Sequence, residues 1–147
     1  MVNKESLFQQ LASMIASAHQ LHFDMTKDMP MGDITPLQYE ILELVSVKQP
    51  ITASQLSECK GISMPNMSRE LRKLKLKGLC EGIEDTGDRR KQYIRLSPLG
   101  EERIAAAFEH MRQLFMQRIE QIPDSKLAKI SEAMGILDST IFRAESE

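Results

Sequence analysis

Two cysteines in 147 residues give no disulfide framework, and the spacing of Cys59 and Cys80 fits no zinc motif. Long apolar runs are missing too: nothing approaches the roughly 18 residues needed to cross a bilayer. The opening MVNKESLFQQLASMIASAHQ is interrupted by polar residues, unlike the continuous apolar region of a signal peptide. These absences lead us to expect a reduced, cytoplasmic protein with no membrane partner. A Gly-rich phosphate loop, a nucleophile elbow and a His-Glu-rich metal signature are likewise lacking. We therefore expect no enzyme and no cofactor. The chain has no repeat of fixed period and no low-complexity tract. What it has, 41% hydrophobic and 27% charged residues, is the composition of a globular chain. Its length suits one domain, or one compact core with appended helices.

The formal net charge is only -2, yet it is unevenly spread. From Lys60 to Arg95 ten Lys and Arg stand against five Asp and Glu, so that window is +5 and the rest of the chain -7. A basic segment between acidic flanks points to a local anionic partner, nucleic acid first among them. A solvated surface would also carry such a run, so the charge needs a structural context.

Periodicity supplies one. Leu7, Leu11, Met14, Ala18, Leu21 and Met25 recur at three- and four-residue steps, one stripe of an amphipathic helix that Pro30 and Gly32 should end. In ITPLQYEILELV (34–45) Thr35 suits the N-cap, Pro36 the first helical position, and Gln38 completes a capping box. ITASQLSECKG (51–61) repeats the device with Thr52 and Gln55. Hydrophobic staples should close over both caps, Ile34 on Tyr39 and Ile51 on Leu56. A third helix capped by Ser63 places Met67, Leu71, Leu74 and Gly78 on one face. Two helices joined by a short Gly-containing turn form a helix-turn-helix. The period then changes to that of strands in LCEGIE (79–84) and RKQYIRL (90–96), with the Gly-containing DTGD between them. Ser97 and Pro98 start a long helix through Ile104, Phe108, Met111, Phe115 and Ile119. Pro123 breaks it, and a last helix carries Leu127, Ile130, Met134, Leu137 and Ile141.

Three helices followed by a hairpin make a winged helix-turn-helix. SMPNMSRELRKLKLKGL (63–79), DTGDRR (85–90) and LSPLG (96–100) resemble the multiple-antibiotic-resistance regulator (MarR) family of transcriptional regulators. The resemblance covers nearly the whole chain, and its most specific element is the Asp-Arg-Arg of the wing. Thr86 departs from it, since the family often carries Pro after the first wing Asp. That affects turn stiffness, not the groups that would meet DNA. The fold expected is mainly α with a small β-hairpin wing. Its division is an N-terminal helix over 1–32, a winged helix-turn-helix over 33–97 and C-terminal helices over 98–147. The resemblance implies that the flanking helices form a dimer interface.

A helical wheel sets Pro65, Asn66, Arg69, Arg72, Lys73 and Leu76 outward. The N-terminal residues of a recognition helix lie nearest the base edges. Pro65, Asn66 and Arg69 are thus the candidate base readers, with Ser63 and Ser68 near enough to bond phosphate or base. Arg69 suits guanine and Asn66 adenine, each pairing contributing about 1–3 kcal/mol of discrimination. Lys73 and Lys77 are expected on phosphates. In the wing, residues two apart share a face, so Asp88 can orient Arg90 for a narrow minor groove. Family resemblance implies the same pair. Arg89 and Lys91, on the other face, are expected on phosphates. An ordinary solvated helix and a plain surface ion pair are the bland readings of these two elements.

Amphipathic helices at both ends carry more apolar surface than a domain of this size covers, and the simplest cover is a second copy. A two-fold dimer reads an inverted repeat in double-stranded DNA, with half-sites about 10 bp apart. We expect a repressor released by an effector. The family resemblance implies a pocket between the dimer helices and the winged domain, often for small anionic aromatics. The ten methionines read as core packing, although they could line such a pocket. Three alternatives stay open. His19, His22 and His110, with Asp24 or Glu109, could bind zinc, though surface or interface histidines are the plainer reading. Cys59, beside Lys60, could sense an oxidant, though both cysteines read as buried structural thiols at the ends of the motif's second and third helices. Finally, the basic face could meet an acidic protein instead of DNA.

Overall fold

A computed structural model describes residues 1–84, 87 and 92–143. The chain divides into two compact units, Met1–Arg112 and Gln113–Glu147.

The first unit opens with α1, Lys4–Thr26, whose N-cap Asn3 accepts hydrogen bonds from the Glu5 and Ser6 amides. The helix stops at Thr26, before the expected Pro30 and Gly32, where the Thr26 hydroxyl bonds back to the His22 carbonyl at 2.8 Å. A polar side chain competing for the last carbonyls thus acts ahead of the sequence breakers. Both expected capping boxes form. Thr35 caps α2, Pro36–Lys48, with Gln38 as its reciprocal partner. Thr52 does the same with Gln55 for α3, Ala53–Lys60. Ser63 caps α4, Met64–Leu76, by accepting from the Asn66 amide.

Helix α4 ends two residues short of Gly78, so Gly78 is a turn residue and not part of the helix face. Its φ of +73° is open to glycine with no Cβ penalty. The Gly78 amide reaches the Lys75 carbonyl and the Leu79 amide that of Leu74, which is the paired closure of a Schellman turn. The chain leaves as β2, Cys80–Glu84, antiparallel to β3, Gln92–Leu96. Ile94 and Leu96 are buried while Arg95 is exposed, as the alternation requires.

One strand escapes the sequence reading. Ile51–Thr52 forms β1, pairing with β3 through Ile51–Ile94 and Thr52–Tyr93, so the sheet order is β1-β3-β2. Two residues are too few to show a period of two. Thr52 serves both as strand residue and as the cap of α3.

The core lies where these elements meet: Ile41, Leu42 and Val45 of α2, Leu56 of α3, and Met67, Leu71 and Leu74 of α4. Leu79, Ile94, Leu96 and Ile104 also belong to it, as do Met29, Tyr39, Ile51 and Cys80. Burying each such side chain contributes about 1.5–3 kcal/mol. Ile104 belongs to α5, Pro98–Ile119, which begins at the buried Ser97. The Ser97 Oγ accepts from the Gly100 amide at 3.0 Å and donates to the Gly78 carbonyl.

The second unit holds the end of α5 and α6, Asp124–Ser139, which follows Pro123. Ile141 falls beyond α6, outside the stripe expected for it. No helix among the described residues is long and apolar enough to cross a membrane.

Candidate nucleic-acid interface

The helix-turn-helix is α3, a turn through Gly61 and Ser63, and α4. Gly61 ends α3 with the same pair of closing bonds, its amide to Glu58 and that of Ile62 to the Ser57 carbonyl. Met67, Leu71 and Leu74 anchor α4 in the core, and this rigid seat determines which residues project outward. Ser63, Pro65, Asn66, Ser68, Arg69, Arg72 and Lys73 are all exposed. Arg69 and Arg72 have no ion-pair partner among the described residues, while Lys73 pairs with Glu70 at 3.5 Å. Among the described residues, the helix therefore carries guanidinium groups without an ion-pair partner beside a neutral polar N-terminal turn.

Lys77 is placed differently from the phosphate contact expected of it. Its ammonium donates to the Asp33 carbonyl and, at 2.9 Å, to Gln38 Oε1. The reason is positional: Lys77 follows the last turn of α4, where its side chain meets the start of α2. Lys75, which the sequence reading passed over, is exposed and lies over the wing strand. Its Nζ is 3.5 Å from where a Cβ on Gly82 would stand.

Across the hairpin, Arg95 and Glu81 are register partners joined at 3.0 Å, so the Arg95 charge is already engaged. Asp88, Arg89, Arg90 and Lys91 lie outside the described residues, as do Asp85 and Thr86.

The cysteines correct the expectation that both are buried. Cys80 is buried, but it opens β2 and does not end a helix. Burial pushes its thiol up to about 11, with Lys75 pulling the other way. Cys59 is exposed. The inward face of α3 is marked by Leu56 and Ser57, and Cys59 sits about 110° from its centre at 100° per residue. A thiol-directed disulfide reagent at pH 7.5 should thus titrate one thiol per native chain and two after denaturation. Cys59→Ser should then leave none reactive in the native state. Rapid titration of both native thiols would show the seat of β2 to be open.

The histidines do not gather. His22 faces Glu43 of α2 at 3.6 Å, and no group of three His, Cys, Asp or Glu among the described residues is placed to hold a metal ion. His19 and His22 instead line a cavity of about 560 Å³ beside α2, together with Phe23, Lys27, Met29 and Tyr39.

A three-helix core, a capped helix-turn-helix with a cationic face and a three-stranded sheet together define a winged helix-turn-helix protein. Residues 34–91 match the MarR family model. Over that segment the chain is similar to the MarR family of transcriptional regulators. It is 28% identical over 125 residues to the HTH-type transcriptional regulator YdgG of Bacillus subtilis, covering 81% of this chain and 79% of that one. Its fold is similar to that of a MarR family protein from Bacillus stearothermophilus, at a TM-score of 0.80 and 17% identity over 97% of this chain and 100% of the other. Streptococcus pneumoniae FabT, solved in complex with DNA, superposes at a TM-score of 0.64 and 15% identity, covering 95% of this chain and 97% of FabT.

Proposed function

We propose that the chain acts as a homodimeric repressor on an inverted-repeat operator and is released by a small effector. The observation that carries this reading is the face of α4, where Asn66, Arg69 and Arg72 project beside the buried Met67, Leu71 and Leu74. Asn66 and Arg69, near the helix start, are the base readers, with Pro65 against them and Ser63 and Ser68 on backbone or base. Arg72 and Lys73 lie further along, on phosphates. Arg90 enters the minor groove, oriented by Asp88, between phosphate contacts from Arg89 and Lys91. That assignment rests on strand alternation and the family resemblance.

Leu7, Phe8 and Ile15 on α1, and Ile130 and Met134 on α6, are exposed apolar side chains on helices with no fully buried residue. A second copy covers them most simply. Residues 33–97 then form the DNA-binding domain, with 1–32 and 98–147 making the dimer. The 560 Å³ cavity combines Phe23, Tyr39 and two methionines with Lys27, two histidines and Glu40, whose carboxylate is paired with Lys60 at 3.1 Å. Such a lining suits a small anionic aromatic, and a ligand there acts by changing the spacing of the two recognition helices.

Selection of duplexes from a random pool tests the reading directly. An inverted repeat should emerge, saturate at two protomers per duplex, and lose affinity with salt at a log-log slope near -0.9 per phosphate neutralised. Arg69→Ala should relax one base position per half-site, at about 1–3 kcal/mol. Failure to enrich any sequence defeats the operator, and saturation at one protomer defeats the dimer. An Arg69→Ala loss that is uniform across sequences reassigns that residue to phosphate.

A further inference from the structure

The polar groups at the seam between α2 and α4 do more than fill space. Gln38 is 2% exposed, yet every polar atom of its side chain is used. Its Oε1 accepts from the Thr35 amide at 3.2 Å and from Lys77 Nζ at 2.9 Å. Its Nε2 donates to Glu70 Oε2 at 3.0 Å. Glu70 stands in the middle of α4, between the exposed Arg69 and the buried Leu71, and its other oxygen holds Lys73 at 3.5 Å. Lys77 lies just past the end of α4 and also donates to the Asp33 carbonyl. The Asp33 carboxylate in turn meets Arg103 of α5 at 3.2 Å, a bond that holds its pKa below the usual carboxylate range.

We infer that Gln38, Glu70 and Lys77 are positioning residues that set the angle at which α4 meets DNA, and that Asp33 links that angle to Arg103 on α5. The inference rests on the reading of α4 as the DNA-contacting helix. Two bonds, one from Glu70 near the middle of α4 and one from Lys77 just past its end, about two turns apart, clamp it to a single buried amide. An apolar seam would permit sliding and rolling, whereas hydrogen bonds of this kind have one geometry. The Asp33–Arg103 pair is exposed on both sides, so its role is connection and it adds little to stability.

This arrangement makes a prediction opposite in sign to simple electrostatics. Glu70→Ala removes a negative charge from the helix that faces phosphate, so charge alone would tighten DNA binding. Positioning requires the reverse: a loss of affinity on the order of tenfold, the size expected when a charged hydrogen bond is removed. Lys77→Met gives a second, independent reading. As a positioning residue it should weaken binding while leaving the salt slope unchanged, whereas a phosphate contact would lower the slope by about 0.9. Gln38→Met already breaks the bond to Glu70, along with those to Lys77 and the Thr35 amide, so adding Glu70→Ala to it should weaken binding no further. All are measured by equilibrium binding to the selected duplex, with circular dichroism confirming native helix content. Tighter binding by Glu70→Ala, a reduced slope for Lys77→Met, or multiplicative losses in the pair would each overturn the inference. Wild-type protein that binds no duplex would instead sink the reading on which it stands.

Discussion

Gly100→Ala is expected to destabilise the protein by about 1–3 kcal/mol or more, a large share of the roughly 5–15 kcal/mol that holds such a domain together. Gly100 is the third residue of α5, a position where alanine would ordinarily be the better choice by about 1 kcal/mol. Here a Cβ would stand 2.0 Å from the Leu79 carbonyl oxygen and 3.0 Å from its carbon. Neither backbone segment can withdraw. The Leu79 carbonyl accepts from the Ser97 amide at 3.1 Å, and the Leu79 side chain is sunk in the core. On the other side, Ser97 ties the Gly78 carbonyl to the start of α5. A methyl group at this point must therefore part the exit of α4 from α5, breaking the bonds that Ser97 makes to Leu79 and Gly78. Urea denaturation of the two proteins measures the difference. Gly135→Ala is the control: it lies inside α6 with nothing within 4 Å of the added Cβ, and should gain up to about 1 kcal/mol. If Gly100→Ala proves as stable as the wild type, the close approach of α5 to Leu79 is wrong.

The second large effect contrasts two leucines two residues apart on α4. Leu74→Ala should cost about 2–5 kcal/mol, because Leu74 is completely buried among the helices and its removal leaves a cavity. Leu76→Ala should change stability by no more than about 0.5 kcal/mol, since Leu76 is 83% exposed. The same substitution, at 200° of helical rotation, thus separates the face that seats α4 from the face it presents. Thermal or urea unfolding settles the matter. Equal losses at both sites would mean that α4 is rotated from the phase on which every assignment of Asn66, Arg69 and Arg72 depends.

That phase was legible in the sequence. Met67, Leu71 and Leu74 announce it at four- and three-residue steps. Thr35 with Gln38 and Thr52 with Gln55 announce the starts of α2 and α3 just as plainly. Hairpin alternation told Ile94 and Leu96 from Arg95. These signals survive because each concerns neighbours within about four residues, where backbone geometry alone dictates who faces whom. The sequence was less informative where a residue has two possible roles. Lys77 reads as one more cation in a basic run. Cys59, in a helix of eight residues with little stripe to phase, reads as buried like Cys80. Two-residue β1 has no period to read.

The sequence by itself determined the order of the helices and the hairpin, the caps of α2, α3 and α4, and the outward set of α4, because i to i+4 relations carry that information. Only the tertiary structure decided that Lys77 serves the Asp33 carbonyl 44 residues away, that Gln38 holds Glu70 from 32 residues away, and that Gly100 is glycine because the Leu79 carbonyl occupies the place of its side chain. Such partners are selected by how helices pack, and a long side chain such as lysine reaches whichever acceptor that packing brings within range.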